Sequence, residues 1–343
     1  MTVITEGKAK IGTYEGKISK KLPVFYNPVM KNNRDISILL LNCVDKKDMR
    51  IGLPMEASGL RGIRFFLELE KGKIDEIWMN DLSEKAVEDM RQNLKSNGID
   101  SKKIIISQKD ANLFLLESNG FDYIDIDPFG TPNPFLDSAV KRIGREGILA
   151  VTATDTAPLA GTFPKTCVRK YWAVPSRTEV MHEIGLRILI RKVQLVGAQF
   201  EKALVPIFSY FKDHYFRVFF RCEKGKKKCD EVLLQHGIAK SAGPMWLGQL
   251  YDKKLARKMF KQNKEGDIFN FLNIISEEAQ IDTVGFYDIH VFCKRNKVKS
   301  LPKIDPLISE IKKKGFKASR THFRPNSIRS SIPEKELIKL ILN

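Results

Sequence analysis

Residues 121 to 140 read FDYIDIDPFGTPNPFLDSAV, and the run breaks abruptly at Asp127-Pro128-Phe129. Proline has no N–H, but its carbonyl still accepts, and it biases the residue before it towards an extended backbone. Asp127 therefore presents an acceptor carboxylate, Pro128 an acceptor carbonyl and Phe129 an aromatic face. Two acceptors and a ring match the two hydrogens of an exocyclic amino group on a planar base. A purely structural strand end needs none of this chemistry.

Three further corners carry polar groups. In EASGLRG (56–62), Gly59 and Gly62 either let the backbone approach a ligand at a helix start or simply make a tight turn. Asp81 follows this turn by about 20–25 residues, the spacing at which an acidic residue accepts from both ribose hydroxyls. The alternative for Asp81 is a helix-entry aspartate. In DAN (110–112), the Asp110 side chain could accept from the amino group of an adenine, or it only caps a helix. Taken together, the corners describe an adenosine pocket that lacks a diphosphate-binding loop.

Strands are predicted at 50–54, 74–79, 103–107, 121–126 and 147–152, which puts every one of these corners at a strand's carboxyl end. The intervening helical patterns include 83–96, where Ser83 is the expected N-cap and Gly98 follows the end. Such alternation means a mostly parallel, doubly wound α/β sheet. A long helix (178–198) should precede two strand-like runs, ALVPIFSYF and YFRVFFRC, joined by Lys212-Asp213-His214, which read as a terminal antiparallel hairpin. The aromatic residues of that hairpin are expected to be core. CEKGKKKCD (222–230) reads as a loop and a domain boundary, giving domains 1–224 and 225–343. The second domain is expected to hold helices at 248–263 and 267–281, then a short basic region. Between Lys294 and Arg329 there are twelve Lys/Arg and two Asp/Glu. Within it, Lys312–Lys314 alone would be a solvated helix face. Joined by Arg320, Arg324 and Arg329, it becomes a candidate phosphate-tracking surface.

The chain's 343 residues are enough for two cores, with 43% hydrophobic and 29% charged residues. Fifty-nine Lys+Arg against 41 Asp+Glu give a net charge of +18. An excess of this size favours a polyanionic partner, because clustered cations release condensed counterions. No apolar run approaches the ~20 residues that span a bilayer, and the N-terminus has no signal-like segment. The five cysteines are scattered without a C-x-x-C pair, so neither a disulfide framework nor a zinc site is expected, and the setting should be cytoplasmic.

The ordered set LPVFYNP (22–28), NRDI (33–36), ASGLRGIRF (57–65), MNDLS (79–83), DAN (110–112), DIDPFGTP (125–132), GILAVTATDTAPLAG (147–161), KDHYFR (212–217), GPMWLG (243–248), FYDIH (286–290) and SRTHFRP (319–325) runs through nearly the whole chain. It resembles the tRNA guanine-26 N2-dimethyltransferases, archaeal members in particular. The resemblance implies a class I methyltransferase domain using S-adenosylmethionine, followed by a smaller basic α+β domain that binds tRNA, with no obligate protein partner evident. By motif position it implies Arg34 and Arg61 at the methionine end of the donor, Asp81 at the ribose, and Asp110 and Ala111 at the adenine. It further implies Asp127 as the catalytic residue, with Pro128 beside it and Phe129 and Phe25 sandwiching guanine. A core or hairpin contact is the alternative for Phe25. Relatives more often carry Asp near position 53, where only Glu56 is available here. Some also carry a Cys-rich insertion before GPMWLG that is missing here, so no metal is expected. Rival readings are an amino-methyltransferase acting on ribosomal RNA guanine or DNA adenine, and a non-enzymatic DNA-binding regulator.

Overall fold

The computed structural model describes residues 2–13, 26–298 and 300–342. Phe25 lies outside the described residues.

The chain begins with a hairpin that the sequence reading did not anticipate, β1 (Thr2–Glu6) and β2 (Ala9–Thr13). Ala9 and Ile11 pack with Leu60, Ile63 and Leu94, and Asn93 and Asn97 accept from the Gly12 and Lys10 N–H groups. Then follow α1 (Lys31–Cys43), β3 (Met49–Leu53), α2 (Leu60–Glu68), β4 (Ile74–Asp81), α3 (Glu84–Ser96), β5 (Ile104–Gln108), α4 (Ala111–Glu117), β6 (Phe121–Ile126), α5 (Asn133–Arg142) and β7 (Ile143–Ala153). The expected alternation is all present, and Ser83 does cap α3 by accepting from Ala86 N–H. Short helices α6 (Thr156–Leu159) and α7 (Pro164–Tyr171) lead to the long α8 (Met181–Ala198), and β8 (Lys202–Lys212) and β9 (Tyr215–Lys224) form the terminal hairpin.

These strands make one seven-stranded sheet in the order β5-β4-β3-β6-β7-β9-β8, with β3 to β7 parallel. The chain winds outward from β3 to β5, then returns to lay β6 on the other side of β3. The β3/β6 pair is thus the topological switch point, and the crevice beyond its carboxyl ends is where open α/β sheets bind ligands. The pair itself sits in the core. Gly52 leaves room for the Phe121 ring, since a Cβ there would come within 2.9 Å of it, and Phe121 stacks on Phe114.

Residues 222–230 are not the loop expected of them, because α9 (Lys226–Leu233) occupies most of the run. Cys229 and Val232, three apart and so on one helix face, are buried, while the lysines that suggested a loop point to solvent. The remaining elements are β10 (His236–Ala239), β11 (Ala242–Trp246), α10 (Lys253–Gln262), α11 (Phe269–Glu278), β12 (Tyr287–Asp288), α12 (Ile289–Arg295), α13 (Ile304–Lys313), β13 (Ala318–Arg320), β14 (Ser327–Ser330) and α14 (Glu334–Leu342). β10 and β11 pair as a hairpin where no strands were expected, and the last three strands form a sheet in the order β12-β14-β13. Its own core joins Ile289, Phe292, Ile308, Ile311 and Leu337.

Two compact units emerge, and they do not follow a single cut at 224/225. The first comprises Met1–Thr154, Val196–Val205 and Phe219–Asp230; the second comprises Asp155–Leu195, Pro206–Val218 and Glu231–Asn343. In the second unit, Glu183 of α8 lies wholly buried between Arg187, at 2.8 Å, and Arg329, at 2.7 Å. Burial opposes its charge, yet the two guanidinium groups bring its carboxyl down to about 2. Arg329 is 2% exposed, so it is no part of a phosphate-tracking surface. Arg320 and Arg324 reach the surface, paired with Asp305 and Asp288, and Lys312–Lys314 are exposed. Sequence composition could not separate these cases, because a buried arginine and a surface arginine count alike.

Candidate active site

The site is built from loops at the carboxyl ends of β3, β4, β5 and β6, all in the first unit. Their common tie is Asn80, which is fully buried at the end of β4. Its amide donates to Pro54 O at 3.0 Å and Lys109 O at 2.9 Å, and its oxygen accepts from Lys109 N–H at 3.0 Å and the Ser107 hydroxyl at 2.8 Å. One side chain thus fixes the loops after β3 and β5 to β4. Sequence reasoning passed over Asn80; its only signal was an amide beside a ligand-type aspartate on a buried strand.

Asp81 follows. Its two carboxylate oxygens accept from Ala57 N–H at 2.9 Å and Ser83 N–H at 3.0 Å, which orients it at the crevice edge. A carboxylate has about four lone-pair sites, so two remain for a diol. Asp110 caps α4 by accepting from the Asn112 and Leu113 N–H groups through Oδ1. The capping alternative is therefore real, and it leaves Oδ2 and the adjacent Ala111 N–H for a base edge. Leu82 and Leu113, next to these two aspartates, are exposed apolar side chains. Gly59 opens α2 at φ +79°, and a Cβ there or at Gly62 would strike Met90 or Met79. The glycines therefore serve close packing of the turn on β4 and α3.

Asp127 is held by Arg61, which ties several groups of the corner together. Arg61 Nη2 lies 2.5 Å from Asp127 Oδ2, and its Nη1 lies 3.1 Å from Asp125 Oδ2 and donates to Asn33 Oδ1 at 3.1 Å. Asp125, buried, also accepts from the Tyr123 hydroxyl at 2.6 Å. Arg61 is thus a clamp on the corner, and two carboxylates share its single charge. Glu56, buried beside it, accepts from Gly62 N–H at 2.7 Å. Burial pushes the Glu56 carboxyl up to about 8, against the opposing pull of Arg61 and that N–H. The corner itself is locked to Thr154, the residue just after β7, by a reciprocal pair, Gly130 N–H to Thr154 Oγ1 at 2.7 Å and Thr154 N–H to Gly130 O at 2.9 Å. Pro128 is buried, whereas the Phe129 ring stands out at 50% exposure.

Arg34 is placed differently from Arg61. It forms a two-point pair with Glu6 of β1, at 2.7 and 2.6 Å, and Arg64 joins the same carboxylate at 2.8 Å. Burial works against the charge on Glu6, but the two arginines hold its carboxyl below the usual range. Glu6 is a second residue that sequence reasoning missed, because the hairpin bearing it gave no strand signal. Among the described residues, no group of three or more His, Cys, Asp or Glu is placed to hold a metal ion.

These residues fit a nucleoside methyl donor. A diol acceptor, an acceptor and N–H pair for a base edge, and apolar side chains beside both stand at successive strand ends. Asp125, Asp127 and Arg61 together carry one net negative charge, which suits a cationic sulfonium.

A family model described as N2,N2-dimethylguanosine tRNA methyltransferase matches residues 2–242 and 237–342. The chain is 38% identical to the tRNA (guanine(26)-N(2)/guanine(27)-N(2))-dimethyltransferase of Aquifex aeolicus, over 99% of this chain and 95% of that protein. It is also 38% identical to the tRNA (guanine(26)-N(2))-dimethyltransferase of Pyrococcus furiosus, over 98% and 97% of the two chains. Among solved structures, Trm1 from Pyrococcus horikoshii in complex with S-adenosyl-L-methionine superposes with a TM-score of 0.90, at 37% identity and 99% coverage of both chains. With a model matched over nearly its whole length and relatives of this similarity, the chain belongs to the N2,N2-dimethylguanosine tRNA methyltransferase family.

Proposed function

We propose that this protein transfers two methyl groups from S-adenosylmethionine to the exocyclic N2 of guanine 26 in tRNA. The observation that carries the reading is the Asp127-Pro128-Phe129 corner, clamped by Arg61 at 2.5 Å and set at the switch point of the sheet. S-adenosylmethionine supplies a methyl group bound to a positively charged sulfur. Asp81 would hold its ribose, Asp110 and Ala111 its adenine, and Arg61 and Arg34 its methionine end.

The guanine amino nitrogen is a weak nucleophile, because its lone pair is delocalised into the ring. Asp127 and the Pro128 carbonyl accept its two N–H bonds and leave the lone pair aimed at the methyl carbon. Arg61 keeps Asp127 from swinging away, so most of the rate gain comes from orientation and fixed charge. As the methyl group's bond to sulfur breaks, leaving a neutral thioether, and the C–N bond forms, the guanine nitrogen would carry the positive charge and give up a proton, for which Asp127 would be the adjacent acceptor. Phe129 offers a stacking face to the base, which must leave the folded RNA to reach this corner. Phe25 is the proposed second face. The surface lysines and arginines after Lys294 would contact the tRNA backbone, and a tRNA substrate implies a cytoplasmic setting. No helix among the described residues is long and apolar enough to cross a membrane.

The test is single-turnover methylation followed by nucleoside mass spectrometry, with tRNA, ribosomal RNA and DNA offered separately. Asp127→Ala should lose on the order of 100-fold or more in rate with donor and tRNA still bound. Asp127→Asn, which keeps one acceptor oxygen, should stall at monomethylguanosine. Unchanged rates in both variants would falsify the role of the corner, and methylation of ribosomal RNA or DNA in preference to tRNA would overturn the substrate.

A further inference from the structure

Helix α7 in the second unit buries Cys167 and Tyr171 on one face, and the Tyr171 hydroxyl donates to Asp155 at 2.6 Å. Its outer face is unusual. By helical spacing Lys165, Val168, Arg169 and Trp172 lie together there. Val168 is 46% exposed and Trp172 49%, flanked by the exposed cations Lys165 and Arg169.

Trp172 ends the helix in the left-handed region, at φ 57° and ψ 37°. A bulky residue pays a steric cost there, where glycine is the usual occupant. The conformation is fixed from α8: Arg191 donates to Trp172 O at 3.2 Å, and Lys192 Nζ lies 3.0 Å from the centre of the indole ring. Lys192 is itself 7% exposed, and burial pushes its ammonium down to about 8. One face of the indole is therefore occupied by a cation from within the protein. The ring is polarised by that charge, held rigidly, and still half open to solvent.

We propose that Trp172, with Lys165 and Arg169 beside it, is a second RNA contact, a platform on which one unpaired base of the tRNA stacks while its flanking phosphates meet the two cations. Aromatic side chains interleaved with cations are how single-stranded nucleotides are held without sequence readout. Charge complementarity selects the occupant. Helix α7 itself contains no acidic residue, and the whole chain carries +18. The inference rests on the tRNA reading, but it concerns binding, not methyl transfer.

The experiment uses full-length protein with unmodified tRNA. Trp172→Ala should weaken tRNA binding roughly 5- to 150-fold, the effect of losing one base–aromatic stack. Donor affinity should stay unchanged, and the methylation defect should lie in KM, with kcat preserved at saturating tRNA. Trp172→Phe should recover most of the affinity, because it keeps a stacking face. Lys165→Ala combined with Arg169→Ala should lower the slope of log K against log salt by about 2. Tryptophan emission adds a direct readout: of the three tryptophans Trp246 is buried and Trp78 only partly exposed, so tRNA should quench chiefly the Trp172 component, and that part of the quench should vanish in Trp172→Ala. Wild-type tRNA affinity in Trp172→Ala would overturn the platform even if guanine is methylated normally. Loss of donor affinity and thermal stability together with tRNA binding would make Trp172 a cover for Lys192, and would also overturn it. If wild-type protein binds tRNA with the quench but methylates no guanine, the platform stands and the reaction reading fails.

Discussion

Replacing Glu183 with glutamine removes a charge that two buried guanidinium groups share. The amide is almost isosteric, so packing is kept and the electrostatic effect is isolated. Arg187 and Arg329 would be left facing each other without their common counterion, with Glu278 Oε2 3.6 Å from Arg329 Nε as the nearest remaining acid. The magnitude can be reached in two ways. A carboxyl lowered from 4.5 to about 2 is worth about 3 kcal/mol, each pKa unit being worth about 1.4 kcal/mol. Breaking a buried pair from one side costs about 3–5 kcal/mol in proteins generally. A loss of this size should lower the Tm by on the order of 10 °C. The pH dependence has a fixed sign. Because the folded-state pKa is depressed, the stabilisation is fully present above pH 4.5 and is lost as pH falls towards 2. The wild type should therefore exceed Glu183→Gln in stability at pH 7 and approach it near pH 3. Thermal unfolding of Glu183→Gln, Arg329→Met and the double variant closes the cycle. With Glu278 counted, the four groups are neutral in the wild type; each single variant leaves a buried imbalance of one charge, while the double restores neutrality, so its loss should fall short of the sum of the two by about 2 kcal/mol or more. Strictly additive losses, or shifts below 2 °C, would refute the account of this network.

Asp81→Ala should weaken donor binding at least tenfold in a calorimetric titration while leaving tRNA affinity within twofold; equal donor affinity would remove Asp81 from the pocket. Glu56→Gln should flatten the stability profile between pH 5 and 8. The raised pKa of Glu56 means that its contribution is complete below 4.5 and fades as pH rises through about 8, with a slope of up to about 1.4 kcal/mol per pH unit. Parallel wild-type and variant profiles would show that Glu56 is ionised throughout. Replacing Lys312, Lys313 and Lys314 with alanine should leave Tm unchanged and flatten the salt dependence of tRNA binding by up to 3 in log–log slope. An unchanged slope would place the tRNA backbone elsewhere.

The central sheet was legible because each of its strands is a short apolar run bounded by turn residues, and Phe121–Ile126 matched residue for residue. The corners that follow the strands were legible because their residue types have few structural uses in combination. What escaped notice was set by distant partners. The β1–β2 hairpin is short and rich in polar residues, and it is fixed by Asn93 and Asn97 some 80 positions away. Arg34 and Arg61 look alike in sequence, yet Glu6 of that hairpin claims the first and Asp125 and Asp127 the second. Arg329 looked like its surface neighbours because nothing local announces Glu183. The α9 helix was missed for the opposite reason: its lysine run masked the burial of Cys229 and Val232.

The distance between Glu183 and Arg329 also sets a schedule. The two are 146 positions apart in the chain. At a synthesis rate of about 5–20 residues per second, α8 leaves the ribosome roughly 7–30 s before its second guanidinium exists. During that interval Glu183 has only Arg187, one turn along the same helix, as a counter-charge. That local pair can form as soon as the helix does, which keeps the carboxylate neutralised while the chain waits. The second unit therefore cannot close its charge centre until nearly the last strand has been made, and a nascent chain stopped before residue 329 would carry a provisional pair where the finished protein has a three-way one.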